Sequence, residues 1–269
     1  MNNNDAILFF IKNTSYEKKD IKSVKEVHHG FTNKSFFLIT IDNLKWQIRF
    51  SGLNEVVDRK NELEILKIIK DENVIYYDEI GNFIKKWING RTLSLIFNKK
   101  KKLKLLCEKI NNLHSIAISE NSKILVHDYF SYINNVENLD KKINDTYISL
   151  VNKYSYLPKV LSHNDLSSKN ILFNGKEIIF IDFEWSRINN AYFDSANFIR
   201  ENNISKKWIT FIEKNLININ AEILRDFIFI TTCFAYQWTF IAKQDAKTIK
   251  YRKKCFKKMN KIYKENKYI

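Results

Sequence analysis

The stretch Val160-Leu-Ser-His-Asn-Asp165-Leu-Ser-Ser-Lys-Asn170-Ile-Leu-Phe173, continuing through Ile178-Ile-Phe-Ile181 to Asp182-Phe183-Glu184-Trp185, decides the fold. Asp165 and Asn170 stand five positions apart and run directly into an apolar strand. A turn at Asn174-Gly175 returns the chain through a second apolar strand, 178–181, that ends at Asp182. Two adjacent strands joined in this way deliver Asp165, Asn170 and Asp182 to one point. Phosphoryl transfer needs such a set: one carboxylate orients a hydroxyl and accepts its proton, while an Asn and a second Asp hold Mg²⁺ against phosphate oxygens. Each residue alone could simply close a loop through Asx-type hydrogen bonds or end a turn. The three at this spacing favour the chemical reading.

Upstream, the pattern is rich in strands. A short amphipathic helix over 5–13 precedes strands at 23–30 and 35–40, which flank a turn at Gly30-Phe31-Thr32-Asn33. Over 44–50, Trp46, Ile48 and Phe50 alternate with Lys45, Gln47 and Arg49, so Arg49 points away from the Trp46 face. The apolar spacing over 55–70 predicts a helix carrying Glu62 and Glu64, with Asn54 as its N-cap. Strands at 74–77 and 83–88 lead to Asn89-Gly90, after which 93–114 and most of the remaining chain read as helix. The fold class is therefore α+β, with a small strand-rich N-terminal lobe over 1–88 and a larger, mainly helical C-terminal lobe over 89–269. The lobes would join near 88–92 and hold ligands in the cleft between them.

The central motif resembles the protein-kinase pair H-R-D-x-x-x-x-N and D-F-G, except that Asn164 stands in place of Arg and Glu184 in place of Gly. In the form His163-Asn164-Asp165-Leu166-x-x-x-Asn170 followed by Ile181-Asp182-Phe183-Glu184-Trp185, the chain resembles the choline/ethanolamine kinase family, relatives of the aminoglycoside phosphotransferases, and most strongly its bacterial choline kinases. The similarity runs patchily from Glu26 to Ala242. It implies a two-lobed protein-kinase-like fold, an ATP and Mg²⁺ requirement, Asp165, Asn170 and Asp182 as catalytic residues, and Asn170 and Asp182 as the metal ligands. His163 would brace the loop.

The same resemblance makes the segment from Gly30 to Phe36 a phosphate loop, with Thr32 and Asn33 at the nucleotide, and Asn89 to Leu93 an interlobe segment. Arg49 falls where kinases place the strand lysine that grips ATP phosphates and pairs with a helix glutamate, here Glu62 or Glu64; Lys45 on the same face is the alternative. Arginine keeps its charge and offers a phosphate two donors. Adenine would lie against the 84–88 segment, at Lys85, Trp87 and Ile88. Trp185, Glu201 and Trp238 would line the acceptor pocket, with Tyr192 and Tyr236 as further candidates. Ala235 departs from the family at the place of a second tryptophan.

These aromatics favour choline among small cationic alcohols, because a quaternary ammonium donates no hydrogen bond and is recognised through aromatic faces. Ethanolamine, thiamine and aminoglycosides remain open as acceptors, as does a catalytically inactive, kinase-like binding module. With 45 basic against 30 acidic residues the formal charge is +15, which raises nucleic-acid binding as a rival. The basic runs at 99–102 and 250–267 alternate with apolar residues at helical spacing and read as solvated helix faces, so no nucleic-acid partner is expected. Three scattered cysteines and no secretory leader imply a cytoplasmic protein. The most apolar stretch, 227–242, is too short and polar for a bilayer span of ~20 residues, so stable membrane insertion is not expected.

Overall fold

The computed structural model describes residues 1–27, 33–52, 57–119, 121–136 and 139–266. Gly30, Phe31 and Thr32 of the expected phosphate loop, and the expected cap Asn54, lie outside these residues. The chain forms two compact units. Met1–Arg91 with Asp182–Trp185 make the first; Thr92–Ile181 with Ser186–Ile269 make the second.

In the first unit, α1 (Asn3–Lys12) precedes β1 (Ile21–Val27), β2 (Lys34–Thr40) and β3 (Lys45–Phe50), followed by α2 (Arg59–Ile68), β4 (Val74–Tyr77) and β5 (Phe83–Lys86). The five strands form one sheet in the order β1-β2-β3-β5-β4. The alternation along β3 divides its two faces. Trp46, Ile48 and Phe50 join Phe36, Leu38 and Ile84 beneath Ala6 and Phe10 of α1, a core of large side chains each contributing about 1.5–3 kcal/mol. Arg49 stands on the other face, toward α2. That helix begins at Arg59, not at 55, and Asp58 caps it by accepting from the N–H of Asn61 at 2.9 Å. The β-branched pair Val56-Val57 between the two possible caps disfavours an earlier start.

The short β6 (Arg91–Thr92) spans the division, and Leu93 just after it donates its N–H to Ile171 O at 2.8 Å. The second unit continues with α3 (Lys99–His114), which starts later than the expected 93, α4 (Lys141–Lys153), β7 (Lys159–Ser162), β8 (Ile171–Phe173), β9 (Ile178–Phe180) and β10 (Arg187–Asn190). The remaining elements are α5 (Tyr192–Glu201), α6 (Lys206–Asn215), α7 (Ala221–Ile241) and α8 (Ala246–Glu265). β8 and β9 form an antiparallel hairpin with Ile171 opposite Phe180, while β7 and β10 pair with Ser162 opposite Arg187. α7 holds the most apolar stretch of the chain and packs against α5 and α8. Among the described residues, no helix is long and apolar enough to cross a membrane. α8 buries Thr248, Cys255 and Met259 and leaves most of its lysines exposed.

Candidate active site

In the second unit, β7 ends at Ser162 and the chain turns sharply through Asn164, whose φ is +63°. Asparagine tolerates this left-handed conformation better than most residues, and such strain concentrates at functional sites. The turn is pinned from all sides. Asn164 Oδ1 accepts from Ser162 Oγ at 3.0 Å and from Asn189 Nδ2 at 2.7 Å. The peptide N–H groups of His163 and Asn164 donate to the two oxygens of Asp194 at 2.9 and 2.8 Å. Asp194, on α5, is 0% exposed and also takes His114 Nε2 at 2.9 Å. Burial by itself would raise its pKa, but the hydrogen bond and charge of His114 lead a set of contacts that hold it below the usual carboxylate value.

His163 is fully enclosed. Its Nδ1 accepts from the N–H of Asp165 at 3.3 Å, so the proton sits on Nε2, which donates to Ile181 O at 3.0 Å. Burial lowers its pKa and keeps the ring neutral. Both nitrogens are thus committed to the backbone, one to the loop and one to the chain leaving β9. Asp165 is half-buried. Its Oδ2 and its carbonyl both accept from Asn170 Nδ2, at 2.7 and 2.9 Å. This fixes the orientation of the Asn170 amide and turns its oxygen away from Asp165.

Asp182 belongs to the first unit and also adopts a left-handed backbone, with φ +67°. Its carboxylate acts on the Arg49 guanidinium, whose pKa is raised: burial opposes the charge, and Glu62 more than compensates. Arg49 is 3% exposed and is gripped by Glu62 through both terminal nitrogens at 2.8 Å, and by Gly81 O at 2.8 and 3.2 Å. Glu62 is therefore its partner; Glu64 instead pairs with Lys67 at the surface, at 2.7 Å.

The sequence reading missed the neighbouring arginine. Arg59 Nη1 donates to Glu62 at 3.0 Å and to Glu184 at 2.9 Å, while Nη2 donates to Asn33 Oδ1 at 2.9 Å and Gly52 O at 2.8 Å. Asn33 Nδ2 in turn donates to Glu184 at 2.9 Å. The base of the expected phosphate loop, the start of α2 and the Asp182-Phe183-Glu184 turn thus share one buried ionic knot. Lys85 is buried in an ion pair with Asp71 at 2.8 Å, which takes up its ammonium. Trp87 packs edge-on against Phe37 with ring centroids 4.6 Å apart, and Ile88 beside it is half-buried. Thr32 lies outside the described residues.

The acceptor candidates do not all share one face. Trp238 and Phe234, four residues apart on α7, form a half-buried stripe, and Tyr132 lies 5.3 Å from Phe234 between ring centroids. Tyr236, two positions from Trp238, points to the other flank of the helix and packs on Phe240 and Phe256. Tyr192 is buried on Phe227, and its hydroxyl donates to Asn218 O at 3.3 Å and accepts from Asn220 N at 3.0 Å. Glu201 is tied to Arg200 at 2.6 Å and to the Tyr251 hydroxyl; burial would raise its pKa, but Arg200 leads the charges that lower it. Trp185 is half-buried and belongs to the first unit. The only sequence signal for Phe234 was its spacing of four from Trp238. Tyr132 had no comparable signal.

The family model for choline/ethanolamine kinase matches residues 24–232. The chain is 30% identical over 277 residues to the uncharacterized protein MG356 homolog of Mycoplasma pneumoniae, covering 97% of this chain and 93% of that one. Among solved structures it is similar to the choline kinase LicA from Streptococcus pneumoniae, with a TM-score of 0.76 at 18% identity over 94% of this chain and 98% of that one. It is also similar to a Plasmodium vivax ethanolamine kinase, with a TM-score of 0.73 at 18% identity over 89% and 82% of the two chains. The fold is α+β and protein-kinase-like, with a small strand-rich N-terminal part and a larger helical C-terminal part.

Proposed function

This chain belongs to the choline/ethanolamine kinase family and is an ATP-dependent phosphotransferase with an alcohol acceptor; we propose that the acceptor is choline and the product phosphocholine. The observation that carries the choice is the half-buried stripe of Trp238, Phe234 and Tyr132, which offers aromatic faces to a cation that donates no hydrogen bond. Trp185 and Glu201 complete the acceptor set in this reading, the carboxylate adding long-range attraction. Tyr192 and Tyr236 are the further candidates for this set.

Asp165 positions the acceptor hydroxyl and takes its proton late, as charge transfer to the phosphate proceeds. Its hydrogen bond from Asn170 holds the carboxylate in one orientation, and the neutral His163 and buried Asp194 hold the loop that presents it. Asn170 and Asp182 supply oxygen donors of the kind magnesium prefers, and the ion would neutralise phosphate charge there. Among the described residues no three His, Cys, Asp or Glu side chains gather into a cation site of their own.

Residues 1–88 serve the nucleotide: Thr32 and Asn33 at its phosphates, the Arg49–Glu62 pair behind them, and the 84–88 segment with Lys85, Trp87 and Ile88 at the adenine. Residues 89–269 supply the catalytic loop and acceptor pocket. The three cysteines are free and buried, which fits a reducing cytoplasm.

The test is ADP release with Mg²⁺-ATP against choline, ethanolamine, thiamine and an aminoglycoside, run beside Asp165→Ala. Saturable turnover with choline, lost in the variant, is the expected result. Preference for another acceptor would keep the phosphotransfer and discard choline, and a variant as fast as the parent would remove Asp165 from the chemistry.

A further inference from the structure

The second unit carries a surface that this chemistry leaves unused. Between β6 and α3, Ile96 is 80% and Phe97 75% exposed. The two adjacent large apolar side chains form one apolar patch open to water. Directly after them, α3 opens with Lys99 to Lys102 and has no acidic residue in its first turn. α6 likewise opens with Lys206 and Lys207 and no acid.

Trp208 joins these two helix starts. Lys99 Nζ lies 5.1 Å and Lys207 Nζ 5.9 Å from its ring centroid, so basic clusters more than a hundred positions apart share one surface. Lysines in a first helical turn oppose the positive end of the helix dipole. Their clustering therefore does not serve the stability of these helices.

Charge selects the occupant. A second copy of this chain would bring the same lysines face to face, and the formal charge of +15 adds to the repulsion. A partner must combine apolar depth with a negative surface. We propose that this face docks on an anionic phospholipid bilayer, with Ile96 and Phe97 entering the headgroup–acyl boundary, Trp208 at the interface and the lysines on lipid phosphates. The association is peripheral and reversible, and it holds the second unit at a membrane without spanning it.

The experiment is co-sedimentation of the full chain with vesicles of phosphatidylcholine alone, and of phosphatidylcholine mixed equally with phosphatidylglycerol, at low salt and at ~0.15 M. The variants are Ile96→Ser with Phe97→Ser, and Lys100→Glu with Lys101→Glu. All four side chains lie at the surface, so circular dichroism and urea midpoints should match the parent. Binding to the mixed vesicles alone is expected. The lysine pair should weaken it roughly 25-fold or more, at about fivefold for each lysine lost, and the apolar pair about tenfold or more. No binding, equal binding to neutral vesicles, or variants that bind like the parent would overturn the proposal. So would binding to single-stranded RNA without binding to vesicles, or a dimer in sedimentation velocity that the apolar pair dissociates.

Discussion

Gly81 lacks a side chain because Arg59 fills the space one would need. A Cβ there would stand 2.4 Å from Arg59 Cδ, and the backbone is at φ +86°, which other residues rarely adopt. The Gly81 carbonyl also receives two donors from Arg49, so one glycine shapes the seat of both arginines. Gly81→Ala is therefore expected to cost about 1–3 kcal/mol, through backbone strain and displacement of Arg59 from Glu62 and Glu184. The urea midpoint reads this directly. A midpoint within error of the parent would mean that Arg59 yields without loss and that the buried knot is not rigid.

At the scale of elements, alternation was legible wherever one face of a strand meets the core. Trp46, Ile48 and Phe50 read correctly as one face, which the fold covers with α1, and Arg49 as the opposite face, because strand side chains must alternate. Helix starts were less legible. Asn54 and Asp58 are both acceptable caps in sequence, and only the packing of Val57, Arg59 and Glu62 decides that α2 begins at 59. Asp58→Ala should thus lower stability by about 1 kcal/mol, while Asn54→Ala should leave it unchanged. Chemical denaturation of the two variants side by side checks this, and the opposite ranking would restore the earlier start. The stretch 227–242 read as too short and polar for a bilayer span and lies within the largely buried α7, but which face of that helix turns toward α8 could not be read. Tyr236, two positions before Trp238, takes the flank that meets Phe256 of α8.

For the whole molecule, buried neutral histidines set the acid limit. His127 is packed among Tyr129, Phe193 and Phe234, and burial, aided by the charge of Arg187, lowers its pKa to about 3. The unfolded chain takes up that proton near 6.5, so the stability is complete above pH 6.5 and declines as pH falls toward 3. His163 acts with the same sign. The urea midpoint should fall between pH 7 and 5, before the depressed carboxylates of Glu62 and Asp194 begin to titrate. His127→Phe should flatten that fall, and an unchanged slope would assign it elsewhere. The sequence by itself determined the α+β, kinase-like class and the pairing of Asp165 with Asn170, because those requirements lie within one short stretch of chain. Only the tertiary structure decided that Asp182–Trp185 join the first unit, that Glu62 and not Glu64 holds Arg49, and that Asp194 pins the turn at His163 and Asn164. Arg59 and Glu184 are 125 positions apart, and a buried charge reveals its partner only when the folded chain removes both from water.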